Sequence, residues 1–343
     1  MPSITNPVAA QRAFIAGGAV VDQPQLGVIA IAGEDRLAWL HSLLSQNVRG
    51  LQPGQSVEAL ALDANGHIES ILRLTDDGQQ TWAIIDREGS AKLLEWLRKM
   101  VFRSKVSIAD RLGELHVVAS WDSPISAHQP LVSWADSWSA PLPGGHRYGA
   151  APTEEWQLVL NVFDANGYAE VSADTLLEWA PQAALDALRI AAHRPSFAEV
   201  DEKSIPHELD LLASAVHLTK GCYRGQETVA KVHNLGHPPR RLVLLHLDGS
   251  NHIHPEPGEQ VVILDEYRAG NAQAKGVVTS VAQHHEMGPI ALAVIARNVP
   301  VDATLAVLGG SEPVAATQEV IVPQDAGKVA NLPRPGLLGR PRR

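Results

Sequence analysis

Two adjacent prolines, Pro238-Pro239, separate stretches of chain built from different material, and this break restricts the possible folds more than any other feature. Proline interrupts helices and cannot donate to a sheet ladder. All eight tryptophans lie before residue 180. Beyond the prolines the apolar residues are Val, Leu and Ile in short runs: Arg241 to Leu247, Gln260 to Leu264, Gly276 to Val281 and Pro289 to Ile295. Short strands at that spacing, with Pro/Gly-rich breaks, predict a small β-barrel or sandwich. A chain of 343 residues also exceeds what one hydrophobic core usually serves, so two or three lobes are expected.

Before the prolines, strands and helices alternate. Gln55 to Asp63 and His67 to Leu74 are β-prone runs joined by Ala64-Asn65-Gly66, a strong hairpin signal. Thr81 to Asp86 and Trp156 to Val162 read as further strands, and Phe163 to Gly167 repeats the Asn-Gly turn signal. Helices are predicted over Glu34 to Gln46, where Leu37, Leu40 and Leu44 recur at helical spacing, and over Ser90 to Met100, with Ser90 as cap. A third spans Pro181 to Ala192, with proline in its first turn. Trp121 to Arg147 has loop composition, although Trp121, Trp134 and Trp138 are expected to pack against the body. From Pro323 onward, Pro, Gly and Arg replace any periodicity, so a disordered tail is expected over 323–343. The pattern alone gives α+β followed by β.

Composition excludes several classes. A net charge of −10 argues against direct nucleic-acid binding by phosphate neutralisation, which needs a basic surface. One cysteine rules out an intramolecular disulfide, a cysteine-ligated zinc site and a four-cysteine iron–sulfur site within one chain. No permanently bound cluster is therefore expected. No run approaches the roughly 18 apolar residues of a membrane span, and residues 1–21 lack the features of a signal peptide, so a cytoplasmic protein is expected. Dinucleotide, Walker A, elbow-serine and zincin motifs are absent from the sequence. His252-Ile253-His254 and His284-His285 lack a spaced third ligand, so no metal site is expected there.

The one cysteine lies in Lys220-Gly221-Cys222-Tyr223-Arg224-Gly225-Gln226-Glu227. Cations two residues to either side are expected to lower the thiol pKa and favour the reactive thiolate, whereas the plainer reading is a buried, inert thiol. The octapeptide resembles the K-G-C-Y-x-G-Q-E signature of the YgfZ family, folate-binding relatives of the glycine-cleavage T-protein. The resemblance continues through Ala230-Lys231-Val232-His233-Asn234-Leu235-Gly236 to Arg240-Arg241-Leu242. Upstream it is supported by Leu188-Arg189-Ile190-Ala191-Ala192 and Ile205-Pro206-His207-Glu208-Leu209. His233 is read as part of the motif neighbourhood, off any helix because Gly236 and Pro238 follow, with its imidazole near Cys222.

This resemblance implies a T-protein-like ring of two α+β lobes with antiparallel sheets and a C-terminal β-barrel, around a central channel admitting folate. Residues 1–238 would hold the folate-binding region, with the lobe boundary near 115–150, and residues 239–322 the barrel. It also implies a role in iron–sulfur cluster assembly or repair and tRNA modification, with iron–sulfur enzymes or assembly factors as partners. Cys222 would be the reactive group. Tetrahydrofolate or a derivative would contact Arg189, Glu208, Lys220, Tyr223, Gln226 and Glu227. Two departures weigh against aminomethyl transfer. Gly66-His67-Ile68-Glu69-Ser70-Ile71 places Ser70 at the second acidic position of the T-protein's G-x-I-D-D-L segment. Glu69, pointing to the opposite face of a regular strand, should not replace it. Ala191 stands where the T-protein has a pterin-contacting glutamate. Three readings remain open: an accessory factor, a folate-dependent transferase with rearranged catalytic residues, and a ligand-sensing interaction protein with a structural cysteine.

Overall fold

The structure is a computed structural model that describes residues 3–250, 255–310 and 312–330. Helix α1 (Pro7–Ile15) and strand β1 (Ala19–Asp22) come first, and β1 joins a sheet completed much later. Next come β2 (Leu26–Ala32), β3 (Ser56–Leu62), β4 (Ile68–Asp76), β5 (Gln80–Asp86) and β6 (Ser107–Asp110). They form a five-stranded antiparallel sheet ordered β3-β4-β5-β2-β6. Both faces are buried, and alternation along β2 shows how. Ile29 and Ile31 pack with Trp39 and Leu40 of α2 (Arg36–Leu43) and Leu93, Leu94 and Leu97 of α3 (Ser90–Lys99). Val28 and Ala30 face the opposite way, into the core shared with the rest of the molecule.

The second sheet contains β7 (His116–Trp121), β8 (Val132–Ala135), β9 (Leu158–Phe163) and β10 (Glu178–Trp179), in the order β10-β1-β7-β9-β8. Helices α4 (Ala165–Ala173), α5 (Gln182–Ala191) and α6 (Gln226–Leu235) accompany it in sequence. The last part is β11 (Arg240–Leu247), β12 (Gln260–Ile263), α7 (Leu264–Arg268), β13 (Gly276–His284), β14 (Gly288–Ala296), β15 (Leu305–Leu308) and β16 (Val314–Val320). Its strands close a barrel in the order β11-β14-β13-β12-β15-β16. Val243, Leu245, Ile295 and Val307 fill the barrel, while Leu242, Leu244 and Leu292 join the core with α5. A buried ion cluster fastens the first lobe to the second: Arg194, after α5, contacts Glu58 of β3 and Asp136 after β8 (Nε–Oδ2 2.9 Å).

Several local expectations are corrected. The Asn166-Gly167 signal opens α4 rather than a turn, because the Asp164 carboxylate accepts from the Gly167 N–H and acts as N-cap. Ser90 is the first helical residue of α3 and Gly89 is its cap, while Pro181 caps α5 instead of entering its first turn. The stretch 121–147 contains β8, and Trp134 and Trp138 are buried, donating to the carbonyls of Val57 and Ala192. The barrel gains two strands, β15 and β16, that apolar runs did not reveal. Pro323 does not begin a free tail. Ala326 is buried, its carbonyl accepts from His237, and Gln324 bonds the backbone of Arg297. The remainder of the expected tail, 331–343, lies outside the described residues.

Candidate functional site

The octapeptide forms the loop leading into α6 and is fixed from both ends. Lys220 points inward: its ammonium donates to the carbonyls of His41 (2.5 Å), Leu44 and Gln46 (3.2 Å), groups left unpaired where α2 ends. It also lies 4.9 Å from the centroid of the buried Tyr223 ring. Burial pushes Lys220 down to about 8, with Arg49 adding to the effect. Burial likewise raises the Tyr223 phenol above its usual range. At the other end Gly225 has φ +84° and lies against the β3–β4 turn. A Cβ there would stand 2.6 Å from the Asp63 carbonyl oxygen and 2.9 Å from Gly66 Cα. The Gln226 amide closes the loop onto the Lys220 carbonyl (3.3 Å).

Between these anchors Cys222 is exposed. Both flanking cations have partners other than the thiol. Lys220 is occupied by three carbonyls, and Arg224 reaches Glu69 (2.8 Å) while lying 5.8 Å from the Trp96 ring centroid. His233 is on α6 after all, since the helix runs to Leu235 before Gly236 ends it. Its Nδ1 meets the Tyr148 hydroxyl at 2.8 Å and its ring lies 4.9 Å from that of His146.

Glu69 also departs from expectation. Ala61 pairs with Ser70 but Leu62 pairs with Ile68, so Glu69 is the extra residue of a β-bulge. A bulge breaks the two-residue alternation of a strand. Glu69 and Ser70 consequently line the same cavity of about 290 Å³ between the hairpin and α3. A carboxylate does therefore reach the neighbourhood of Ser70, but it is bound by two cations, Lys92 (2.9 Å) and Arg224.

A larger cavity of about 640 Å³ lies where the two sheets, α5 and the barrel meet. Trp156 and Phe197 give it aromatic surface. Gln23, Gln25 and Gln182 form a hydrogen-bonded amide cluster, and Asp186, Arg189, Arg73 and Arg87 supply charge. Arg189 is held by Glu199 (3.0 Å), the Arg194 carbonyl (2.9 Å) and Ser280 (2.8 Å). Arg73 pairs with Asp86 at 3.2 Å. The volume lies within the roughly 300–1,000 Å³ of small-molecule pockets, and aromatic walls with both carboxylate and guanidinium groups suit a flat heteroaromatic acid.

Of the six residues expected to hold folate, Arg189 lines this cavity. Glu208 is fully buried and bridges to Arg240 at the start of β11 (2.9 and 2.8 Å). Lys220, Tyr223 and Gln226 brace the Cys222 loop, and Glu227 is exposed in the first turn of α6. Ala191 is buried in the core. Sequence reasoning did not single out Gln182 and Asp186, although their spacing with Arg189 puts polar groups on one stripe of an otherwise apolar helix. Among the described residues no group of three or more His, Cys, Asp or Glu side chains is arranged to hold a metal, and no helix is long and apolar enough to cross a membrane. His252-Ile253-His254 lies outside the described residues.

No protein-family profile matches the chain. It is 29% identical over 262 residues to the "tRNA-modifying protein YgfZ" of Vibrio vulnificus strain YJ016, covering 73% of this chain and 76% of that protein. It is 26% identical over 236 residues to the "iron-sulfur cluster assembly factor IBA57 homolog, mitochondrial" of Mycosarcoma maydis, covering 65% of this chain and only 55% of the length of that relative. Among solved structures, the glycine cleavage system aminomethyltransferase T of Bartonella henselae superposes with a TM-score of 0.70 at 17% identity, over 96% of this chain and 92% of that one. That similarity describes the fold.

Proposed function

Since the chain is a YgfZ-family protein related to the aminomethyltransferases, we propose that it is a folate-binding accessory protein in iron–sulfur cluster assembly or repair, acting alongside tRNA modification, with Cys222 as its reactive group. The observation carrying this reading is the placement of the chain's one thiol: exposed, on a loop clamped by Lys220 beneath and by Gly225 against the hairpin. A single thiolate cannot complete the coordination of a cluster. Cys222 acts as one transient ligand for a cluster that is cargo, while iron–sulfur enzymes or assembly factors provide the rest.

Folate, as tetrahydrofolate or a derivative, occupies the larger cavity. Asp186 accepts hydrogen bonds from the pterin's donor edge, Trp156 and Phe197 flank the rings, and Arg87 binds carboxylates beside the wall that Arg189, held by Glu199 and Ser280, keeps in place. The protein's groups bind and orient the folate, and the folate supplies one-carbon chemistry when bound. Complementation tests the reading. Wild type restores iron–sulfur enzyme activity in a strain lacking its own YgfZ-type gene, and Cys222→Ala does not. Equal rescue by both would refute the role of the thiol. Calorimetry with tetrahydrofolate tests the ligand separately: heat is expected from the wild type and less from Arg87→Gln, an exposed position whose loss spares the core.

The bulge that brings Glu69 beside Ser70 favours one alternative, an aminomethyltransferase that uses Glu69. Against it, Glu69 is already neutralised by Lys92 and Arg224, and the cavity it lines shares no residue with the larger one. Methylene-tetrahydrofolate formation from an aminomethyl-lipoyl donor, at a rate comparable with a T-protein control, would establish the alternative.

A further inference from the structure

The smaller cavity, on the α3 side of the first sheet, has a composition that specifies an occupant. Its apolar wall consists of Ala61, Leu93 and the half-buried Trp96. Its charged lining contains three cations, Lys92, Lys99 and Arg224, and two carboxylates, Glu69 and Glu95. Lys99 is paired with Glu95 at 2.6 Å, which leaves Lys92 and Arg224 sharing the single charge of Glu69. One positive charge is uncompensated, beside an indole face and Ser70, whose hydroxyl donates to the Glu69 carbonyl (2.7 Å).

We propose that this cavity binds a small planar aromatic monoanion, a single ring bearing one carboxylate, with the ring against Trp96 and the carboxylate on Arg224 and Lys92. Three features decide the class. The volume of about 290 Å³ lies at the lower end of the roughly 300–1,000 Å³ of small-molecule pockets, so a one-ring acid is readily accommodated. The excess charge of one matches a carboxylate better than a phosphate monoester, which carries about −1.5 to −2. The planar guanidinium of Arg224 already lies over the Trp96 ring, and it pairs with a carboxylate through two parallel hydrogen bonds. Binding draws Arg224 from Glu69 toward the ligand. Because Arg224 is two residues from Cys222 on the same clamped loop, occupancy changes the surroundings of the thiol.

The test uses full-length protein with ¹⁵N-labelled tryptophan, the Trp96 indole signal being assigned with Trp96→Phe. Benzoate is expected to move that signal saturably, benzyl alcohol and phenyl phosphate to bind more weakly, and Arg224→Gln to weaken benzoate about tenfold through loss of the charged pair. Benzoate is also expected to change the alkylation rate of Cys222 in the wild type but not in Arg224→Gln. Arg224 is exposed, so this variant retains the fold, and a matching melting curve verifies it. The proposal fails if no saturable shift occurs at Trp96 up to tens of millimolar benzoate. Equal or tighter binding of benzyl alcohol or phenyl phosphate, or an unchanged affinity in Arg224→Gln, would also overturn it. Trp156 lines the other cavity and reports folate separately, so the two readings fail independently.

Discussion

The octapeptide contains two glycines, and the structure predicts opposite outcomes for replacing them. Gly225 has φ +84°, and a methyl group there meets two backbone atoms of the β3–β4 turn, at 2.6 and 2.9 Å. Backbone cannot rotate away as a side chain can. Left-handed conformation costs a residue with a Cβ about 1–2 kcal/mol, and overpacking a fixed contact costs about 1–3 kcal/mol more. Gly225→Ala is therefore expected to destabilise the protein by about 3 kcal/mol, part of it through release of the loop from the hairpin. Around Gly221 a methyl meets nothing within 4 Å, and its φ is outside the left-handed region. Gly221→Ala should thus be neutral or slightly stabilising, within about 0.5 kcal/mol either way. Urea unfolding measures the global term, and the alkylation rate of Cys222 reports the loop, rising in Gly225→Ala only. If both variants lose the same stability, or if Gly225→Ala stays within about 0.5 kcal/mol of wild type, the docking argument is wrong.

Two further outcomes concern the frame around the site. Arg194→Met leaves Glu58 and Asp136 buried without their shared cation and should cost about 3–5 kcal/mol in urea unfolding at neutral pH; a loss below about 1 kcal/mol would show that water or rearrangement replaces the lobe contact. Burial holds His207 down to about 4, opposed by its bond to the Val229 carbonyl and reinforced by His233. Between the ordinary value near 6.5 and that lowered value the unfolded chain takes up a proton that the folded chain does not. Stability therefore rises with pH across this window and falls on acidification, by about 2 kcal/mol at pH 5. His207→Gln, which keeps a donor for Val229, should flatten the pH dependence by that amount, and an unaltered slope would contradict it.

The sequence by itself determined the elements whose causes are local. The Asp63–His67 turn follows from Asn-Gly chemistry, the helices from the spacing of leucines, and four of the barrel's six strands from apolar runs beyond Pro238-Pro239. The octapeptide around Cys222 could also be singled out along the chain, because its eight residues are contiguous. The tertiary structure decided what depends on partners distant in the chain. Spacing places Lys220 and Arg224 beside Cys222, and only the fold gives them their partners, carbonyls from residues 41–46 for Lys220 and Glu69 for Arg224. Glu208 looked like a ligand group, yet Arg240, 32 residues on, takes it. Strand alternation put Glu69 and Ser70 on opposite faces, and one slipped pairing with Leu62 put them in one cavity. Hydrophobic period and turn chemistry act over a few residues, and so they can be read along the chain. An ion pair or a register slip depends on which distant segment folding brings alongside, and one-dimensional spacing does not contain that distance.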